Sequence, residues 1–378
     1  MQSPSAAPLL TIVVPTFNET QNLAELARRL EQVLAGVTWE LIFVDDDSPD
    51  GTAAEARRLA QQDGRIRCLQ RIGRRGLSSA CIEGLLASSA PFLAVMDADL
   101  QHDETLLAPM LMALRSEPLD IVVGSRYMDG GSVGDWDGGR QQISRLATRI
   151  SRLVVPATLT DPMSGFFMLR ADTFHAHVRQ LSALGFKILI DLFASSPVPL
   201  RFKELPYTFR NRVAGESKLD HQVAWDYGLL LLDKLVGHVV PARFISFALI
   251  GGLGVFVHLL VLSLLFHGFH LEFGFSQAAA AGVAMLGNFS VNNLLTYRDR
   301  RLRGAEWVKG LLSFVLVCAV GAVANVGIAS YIFSSQGTWL IAALAGILVG
   351  AVWNYAVSSV YTWGRKPRPV SIASAPSA

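Results

Sequence analysis

The chain has 378 residues, of which 51% are hydrophobic and 17% are charged, and its formal net charge is +2. Its length suggests two or three domains, and its charged fraction is below the roughly 25% of soluble domains. The charges are divided unevenly: residues 1–239 hold 24 basic and 28 acidic residues, whereas residues 240–378 hold 9 and 3. Because the basic excess lies outside the charged, globular half, no nucleic-acid partner is expected. The sequence predicts a soluble domain followed by a membrane domain.

Short apolar runs alternate with helical patterns through the first half of the chain. Strands are predicted at 9–15, 40–45, 66–70, 92–96 and 120–124, with helices between them at 22–34, 52–62, 77–88 and 104–116. This alternation predicts a mostly parallel, Rossmann-like sheet with helices on both faces. Ligands of such sheets bind at the carboxyl ends of the strands. Acidic clusters at 45–47 and 97–99 follow the second and fourth strands, so both are expected at the binding edge.

Two common nucleotide-binding fingerprints are absent from the sequence. No G-x-G-x-x-G follows the first predicted strand and no G-x-x-x-x-G-K-[ST] occurs, so neither a dehydrogenase nor a P-loop NTPase is expected. The three cysteines, at 68, 81 and 318, are too widely spaced for a disulfide framework or a zinc site. Residues 1–20 lack the pattern of a signal peptide, so the first domain is expected in the cytoplasm.

The second half of the chain contains four long apolar segments, at 244–266, 275–297, 310–333 and 339–363. Each is long enough for the roughly 20 residues that cross a bilayer as a helix. Residues 221–243 mix apolar and charged positions and predict a helical linker in the membrane interface. The alternative is an ordinary amphipathic helix on the first domain. The expected domains are therefore 1–220, the linker 221–243 and the membrane domain 244–364, before a disordered cytoplasmic tail at 365–378.

The two pairs of predicted spans resemble each other. S-F-A-L at 246–249 recurs as S-F-V-L at 313–316, and N-F with T-Y at 288–297 recurs as N-Y with T-W at 354–363. The repetition predicts a duplicated two-helix hairpin. Basic residues cluster after the second and fourth spans, and such clusters favour the cytoplasmic side. Four spans with both termini in the cytoplasm are expected.

The sharpest local pattern is D-A-D at residues 97–99, directly after an apolar run. The carboxylates of Asp97 and Asp99 are hard oxygen ligands that can bind Mg²⁺ or Mn²⁺ together with substrate phosphates. A metal bound there would neutralise the charge on a departing diphosphate. The second acidic cluster, at the end of another strand, makes a mere surface role the weaker interpretation.

Seven motifs follow one another in the first half of the chain. They are P-T-F-N-E at 15–19, V-D-D-D-S-P-D-G-T at 44–52, G-L-S-S-A at 76–80, D-A-D-L-Q-H at 97–102, G-S-R-Y at 124–127, D-P-M-S-G-F at 161–166 and G-E-S-K-L at 215–219. Over roughly residues 9–220 this succession closely resembles the dolichol-phosphate mannose synthase branch of glycosyltransferase family 2. Residues 243–364 resemble the GtrA-like membrane family. The resemblance implies an α/β GT-A catalytic domain followed by an all-α four-helix transmembrane domain.

The resemblance also implies roles for individual residues. The sugar nucleotide would be bound by Pro15, Phe17, Glu19, Val44, Asp46, Asp97, Ala98, Asp99, Arg212 and Lys218. The metal would be bound by Asp97, Asp99 and Gln101, and the catalytic group would comprise Asp99, Arg126, Arg140, Ser144, Arg212 and Lys218. Arginines suit a site with several phosphates because a guanidinium offers paired donors to phosphate oxygens. Phe17 departs from the commoner Tyr and Asp47 from the commoner Asn, which bears on base selectivity.

The implied reaction is an inverting transfer of mannose from GDP-mannose to a dolichyl-type polyprenyl phosphate at the cytoplasmic membrane face. A phosphate acceptor is already ionised, so the reaction needs positioning and charge stabilisation rather than a general base. His102 is accordingly expected to have a structural or surface role. Expected partners are the sugar nucleotide, the lipid phosphate and the bilayer, and homo-oligomerisation is left open.

Two alternative functions are kept. The first is transfer of glucose or an aminosugar from a UDP donor to the same lipid. The second is a non-catalytic flippase or anchor for a lipid-linked sugar. Asparagines inside the predicted spans, at 288, 292, 293, 325 and 354, keep the second alternative open because polar residues in a membrane are often functional. Hydrogen bonding between helices is the other interpretation of these asparagines.

Overall fold

The computed structural model describes residues 7–134, 147–156, 158–182, 187–210, 221–236, 240–336 and 338–364. Contacts within the chain divide it into two units, residues 1–239 and 240–378. The first unit is an α/β domain and the second is helical, which confirms the predicted fold class. The division between the units falls within the linker expected at 221–243, and the domain boundaries stay a prediction.

The first unit contains a seven-stranded sheet. Its strands are β1 (Leu10–Thr16), β2 (Trp39–Asp45), β3 (Ile66–Gln70), β4 (Phe92–Val95), β5 (Ile121–Ser125), β6 (Phe167–Arg170) and β7 (Phe202–Pro206). Its helices are α1 (Leu23–Val33), α2 (Thr52–Gln62), α3 (Leu77–Leu86), α4 (Leu107–Ser116), α5 (Ala171–His177), α6 (Ile188–Ser195) and α7 (His221–Val236). The strand order is β3-β2-β1-β4-β6-β5-β7. All strands run parallel except β6, which is antiparallel to both of its neighbours.

Apolar side chains alternate along the central strands and fill a core on each face of the sheet. Ile12 and Val14 pack with α1, α2 and α4 on one face, and Val13 packs with α3 and α6 on the other. This alternation follows from the strand geometry, in which successive side chains point to opposite faces. The predicted strands β1–β5 and helices α1–α4 are confirmed within a few residues. Strands β6 and β7 were not predicted.

Helix α7 packs against the rest of the first unit. Leu230 is fully buried in the core that contains α3 and α6. The Tyr227 hydroxyl donates to the carbonyl of Ala147 at 2.6 Å, and Lys234 Nζ lies 2.5 Å from the buried Asp191 carboxylate of α6. These contacts match the alternative interpretation of this segment, an amphipathic helix on the first domain. A role for residues 221–243 in the membrane interface stays a prediction.

Among its described residues, the second unit has four long helices. They are α8 (Ala242–Ser263), α9 (Phe273–Leu294), α10 (Ala305–Gln336) and α11 (Trp339–Val357). Three segments of the described chain are long and apolar enough to cross a membrane: Arg243–Gly268, Ala305–Ser335 and Leu344–Thr362. Helix α9 has 22 residues, but serine, glutamine and asparagine interrupt its apolar sequence. Helices therefore occupy all four predicted segments, while the number of spans stays a prediction.

The two hairpins of the second unit repeat the same contacts. The hydroxyl pairs are Ser246–Thr296 at 2.7 Å and Ser313–Thr362 at 3.0 Å. The pairs of glycine against asparagine are Gly254–Asn288 and Gly321–Asn354, and a Cβ on either glycine would collide with the asparagine amide. Small residues that allow close approach, with polar side chains bonded across helices, are typical of helix packing in membranes. The duplication read from the sequence is thus visible in the packing.

Gly84 lies where α3 crosses the sheet, and its replacement tests this packing. A Cβ at Gly84 would collide with Val13 and lie 2.8 Å from Val44 Cγ2, and both valines are stiff. Alanine normally stabilises a helix interior by about 1 kcal/mol over glycine. Here overpacking should reverse that sign, and we expect Gly84→Ala to destabilise the protein by about 1–3 kcal/mol.

Thermal unfolding of the purified chain measures this effect. Gly64→Ala is the matched control, because a Cβ at Gly64 meets no atom within 4 Å. A raised melting temperature for Gly84→Ala would contradict the close packing of α3 on β1 and β2.

Candidate active site

Four loops meet at the carboxyl edge of the parallel strands, after β1, β2, β4 and β5. The chain returns from the sheet edge at β3 to place β4 beside β1, and such a reversal opens a crevice at the carboxyl ends of the central strands. The predicted site residues in the described part of the chain all lie on these strand ends or loops. Arg140, Ser144, Arg212 and Lys218 lie outside the described residues.

The loops after β1 and β2 are joined by hydrogen bonds. The Asp45 carboxylate accepts from the Ser48 backbone N–H at 3.0 Å and from the Ser48 hydroxyl at 2.5 Å. The Ser48 hydroxyl oxygen accepts from the backbone N–H of Asn18 at 3.0 Å. The backbone N–H of Glu19 donates to the Thr52 hydroxyl at 3.0 Å. The predicted nucleoside-binding loop after β1 is therefore fixed to the loop after β2.

Asp46 is buried at the end of β2, where it meets a basic G-R-R-G loop. Its Oδ2 accepts from the Gly76 N–H at 2.7 Å, and its Oδ1 lies 2.9 Å from the Arg71 guanidinium. Burial raises the pKa of Asp46, although the Gly76 N–H and the Arg71 charge act against it. In the same loop the Arg75 guanidinium lies 4.4 Å from the centre of the Phe17 ring. Arg71 and Arg75 belong to this edge, yet the sequence analysis gave them no role.

The predicted nucleotide-binding residues differ in what they expose. Pro15, Phe17 and Glu19 are partly exposed at the end of β1 and after it. The Val44 side chain is fully buried in the core against α3, so a nucleoside at the end of β2 would meet only its backbone. Ala98 is buried as well, and it too would offer backbone atoms.

A chain of three polar side chains runs inward from Asp97. Asp97 Oδ2 lies 3.2 Å from His102 Nε2, and His102 Nδ1 lies 2.8 Å from the Tyr207 hydroxyl. Because an ionised carboxylate only accepts, His102 donates to it from Nε2; in the neutral ring, Nδ1 then accepts from the Tyr207 hydroxyl. His102 is buried and packs against the rings of Phe166 and Phe209. His102 therefore orients Asp97, which is a specific form of the structural role expected for it.

Asp97 lies among positive charges. Burial raises the pKa of its carboxyl, but the hydrogen bond from His102 and the charges of Lys187 and Arg126 outweigh burial and hold that pKa below its usual range. Lys187 Nζ also donates to the carbonyl of Met163 at 3.0 Å, in the loop before β6. Lys187 was missed from the sequence because it belongs to none of the seven motifs.

Asp99 and Gln101 are held by a strained turn. Leu100 between them has a φ of 62°, a left-handed conformation that is costly for a bulky residue and often found at functional sites. Asp99 Oδ1 accepts from the backbone N–H of Gln101 at 3.2 Å, and the Gln101 amide nitrogen donates to the carbonyl of Arg210 at 2.9 Å. Both side chains are buried. A carboxylate and an amide oxygen are thus fixed two residues apart.

Arg126 forms a buried bidentate ion pair with Asp161. Its Nε and Nη2 donate to the two carboxylate oxygens at 2.7 and 2.8 Å. Arg126 is 8% exposed and Asp161 is 0% exposed, so neither charge has much water around it. Burial lowers the pKa of Arg126, but the Asp161 carboxylate outweighs burial and raises it. The sequence analysis quoted Asp161 within a motif but assigned it no role.

Removal of the Arg126 guanidinium should destabilise the fold because it leaves a buried carboxylate unpaired. We expect Arg126→Ala to cost about 3–5 kcal/mol, measured by thermal unfolding alongside turnover at a temperature where both proteins are folded. Arg126→Lys keeps the charge but loses the paired donors, so we expect its melting temperature to lie between those of the wild type and Arg126→Ala. An unchanged melting temperature for Arg126→Ala would show that the pair does not brace the loop.

Arg201 provides the control for this pair. Its Nε and Nη2 donate to the Asp120 carboxylate in the same bidentate geometry, at 3.0 and 2.7 Å, but the Arg201 side chain is 60% exposed. An exposed pair contributes about 0–1 kcal/mol. Arg201→Ala should therefore change the melting temperature far less than Arg126→Ala does.

Solved structures that match part of this chain include two synthases. One is glucosyl-3-phosphoglycerate synthase from Mycobacterium tuberculosis, with Mn²⁺, UDP and glucosyl-3-phosphoglycerate bound; it is 18% identical, has a TM-score of 0.45, and the match covers 61% of this chain and 81% of that one. The other is mannosyl-3-phosphoglycerate synthase from Rubrobacter xylanophilus, which is 16% identical with a TM-score of 0.43 over 62% of this chain and 74% of that one.

Sequence comparison gives a closer match. Residues 11–177 match glycosyl transferase family 2, and residues 246–363 match the GtrA/DPMS transmembrane domain. The chain is 34% identical to a dolichol-phosphate mannosyltransferase of Pyrococcus furiosus over 94% of this chain and 99% of that protein. It is 33% identical to an undecaprenyl-phosphate mannosyltransferase of Micrococcus luteus over 55% of this chain and 86% of that protein. The chain therefore belongs to the dolichol-phosphate mannosyltransferase family, with a family 2 glycosyl transferase domain followed by a GtrA/DPMS transmembrane domain.

Proposed function

We propose that this protein transfers mannose from GDP-mannose to a polyprenyl phosphate at the cytoplasmic membrane face, with inversion to a β-linked product. A relative that matches the chain almost end to end is named for dolichol phosphate, and another is named for undecaprenyl phosphate. Both acceptors are polyprenyl-type lipid phosphates. The observation that carries the proposal is the placement of Asp97, Asp99 and Gln101 on the same sheet edge as the loops after β1 and β2.

The oxygen donors on this edge fit a divalent cation. Asp97, Asp99 and Gln101 offer carboxylate and amide oxygens, the ligand types that Mg²⁺ and Mn²⁺ prefer. The described residues contain no group of three His, Cys, Asp or Glu side chains that could hold a metal. Mg²⁺ in transferases is commonly held by one or two carboxylates plus substrate phosphates. When bound, such a metal neutralises charge on the departing diphosphate.

The remaining residues of the edge supply orientation and positive charge. His102 has both ring nitrogens engaged, by Asp97 and Tyr207, so it is placed to hold a carboxylate rather than to move a proton. A lipid phosphate needs no base, because it is already an anion when it attacks the anomeric carbon. Arg126 and Lys187 contribute fixed positive charge beside Asp97. Preorganised charge of this kind lowers the barrier of a reaction in which negative charge moves between phosphates.

A donor and acceptor panel tests the reaction directly. The purified full-length chain is given labelled GDP-mannose, UDP-glucose or UDP-N-acetylglucosamine, each with a polyprenyl phosphate or the corresponding alcohol, and labelled lipid is measured. We expect product from GDP-mannose with the phosphate, and none with the alcohol, which would need a general base. The one-bond coupling constant between C1 and H1 of the product sugar should show the β-anomer.

Other outcomes of the panel distinguish the alternatives. Faster turnover with a UDP sugar would show that this sugar nucleotide, rather than GDP-mannose, is the donor. An α-linked product would contradict inversion. No transfer from any donor, with the protein folded, would favour a non-catalytic flippase or anchor.

Asp99→Asn should abolish transfer while leaving the fold intact. The amide keeps the shape of the side chain but removes the charge that a divalent cation requires, so we expect the rate to fall by at least about 10²–10³-fold. The Mn²⁺-dependent part of GDP binding, measured by calorimetry, should be lost as well. Turnover above a few per cent of wild type in saturating Mn²⁺ would overturn the metal assignment.

Asp172→Asn is the matched control for Asp99→Asn. Asp172 is exposed at the start of α5, directly after β6. Because β6 is antiparallel to β4, with Arg170 opposite Phe92, Asp172 lies at the other edge of the sheet. Removal of its charge should leave both transfer and GDP binding unchanged.

A further inference from the structure

An open cavity of about 590 Å³ lies in the second unit, where α9 ends and α10 begins. Leu294 and Trp307 contribute apolar surface to it, Ser290 contributes a hydroxyl, and Arg301 and Arg303 contribute positive charge. We call it the basic pocket. None of its residues belongs to the candidate active site, and all of them lie within one unit of the structure.

The floor of the basic pocket is held by hydrogen bonds. Asn293 Oδ1 accepts from the Leu302 N–H at 2.8 Å and from Trp363 Nε1 at 3.1 Å. The Asn293 amide nitrogen donates to the Leu302 carbonyl at 3.1 Å. Leu302 is therefore fixed to the end of α9. The backbone positions of its neighbours Arg301 and Arg303 are fixed with it. A binding group supported in this way is more precisely placed than one on an unsupported loop.

Within the described part of the chain, Arg301 and Arg303 are exposed and make neither an ion pair nor a hydrogen bond. The nearby Lys309, by contrast, pairs with Glu306 at 3.7 Å. Helix α10 begins at Ala305, so its first N–H groups add partial positive charge beside the pocket. The lining thus combines two guanidinium groups with apolar surface.

We propose that the basic pocket binds the phosphate of an anionic lipid. Guanidinium groups match phosphate oxygens in geometry and charge, and Leu294 and Trp307 offer apolar contact to the adjoining part of the lipid. Tryptophan favours the membrane interface, and basic pockets between membrane helices are typical sites for anionic headgroups. The site does not depend on the proposed transferase activity.

Lipid titration of the full-length protein tests the pocket. Apparent affinities for phosphatidylglycerol and phosphatidylcholine are measured by native mass spectrometry on the wild type and on Arg301→Gln, Arg303→Gln and Lys309→Gln. We expect each arginine variant to bind phosphatidylglycerol about fivefold more weakly and Lys309→Gln to change it by less than about twofold. Ser290→Leu, which fills the pocket without a change of charge, should also weaken binding. If the pocket holds a bilayer phospholipid, transfer to a detergent-soluble acceptor should stay at the wild-type rate in all four variants.

Several outcomes would overturn the proposal. Equal affinity for phosphatidylcholine, whose phosphate is balanced by a choline cation, would show that the net negative charge of the headgroup is not recognised. An equal loss in Lys309→Gln and Arg301→Gln would indicate attraction to the whole basic surface rather than to a pocket. Displacement of phosphatidylglycerol by inorganic phosphate at the same concentration would show that no lipid is required.

The source of the lipid is decided by competition. If polyprenyl phosphate displaces phosphatidylglycerol and Arg301→Gln weakens both, the pocket holds the acceptor lipid. If polyprenyl phosphate does not displace it while the arginine variants still bind phosphatidylglycerol weakly, the pocket holds a bilayer phospholipid. Melting temperatures of all variants, measured without added lipid, separate lost binding from lost folding, and Arg301→Lys should recover part of the affinity if a variant is unstable.

Discussion

The direction of β6 is the constraint on which the candidate active site depends. Because β6 runs antiparallel between β4 and β5, the loop that precedes it arrives at the carboxyl edge of both neighbours. That loop brings the Asp161 carboxylate to Arg126, which follows β5. It also brings Gly165 against Asp97, which follows β4, so closely that a Cβ at Gly165 would lie 3.1 Å from Asp97 Oδ2. One reversed strand thus joins two loops that parallel strands alone would leave separate.

Burial of charge at this edge then demands a partner for each carboxylate. An ionised group taken out of water without compensation costs several kcal/mol. Asp46 is compensated by Arg71 and Asp161 by Arg126, while the partly exposed Asp97 has His102 and the charges around it. The Asp46–Arg71 and Asp161–Arg126 pairs each join two different loops, so neutralising these charges also fixes the loops to one another. The resulting rigidity is what electrostatic catalysis requires, since donors already in place need no reorganisation during the reaction.

The sequence predicts the strands and helices of the first unit better than it predicts the long-range contacts between them. Strands β1, β2, β4 and β5 stand out because each contains an apolar run of the kind typical of buried strands, and the acidic clusters after β2 and β4 mark the edge. Strand β6 was missed although it is as long as β4, with four residues, and β7 was missed because it includes Lys203, Glu204 and Pro206. The Arg126–Asp161 pair was missed for another reason. Its members are 35 residues apart in the sequence. Their contact depends on the antiparallel direction of β6, which no local sequence pattern predicts.

The second unit shows the same dependence of local chemistry on topology. Equivalent residues of the two hairpins contact each other directly: Tyr297 and Trp363 stack with ring centres 4.2 Å apart, and Phe247 and Phe314 lie 6.4 Å apart. The repeat is broken at Asn293, whose equivalent position in the second hairpin is a serine. Asn293 ties the loop between the hairpins to Trp363, a residue of the second hairpin. The loop that joins the two hairpins occurs only once, so it has no equivalent in the repeat. The basic pocket, which this loop lines, therefore occurs once as well.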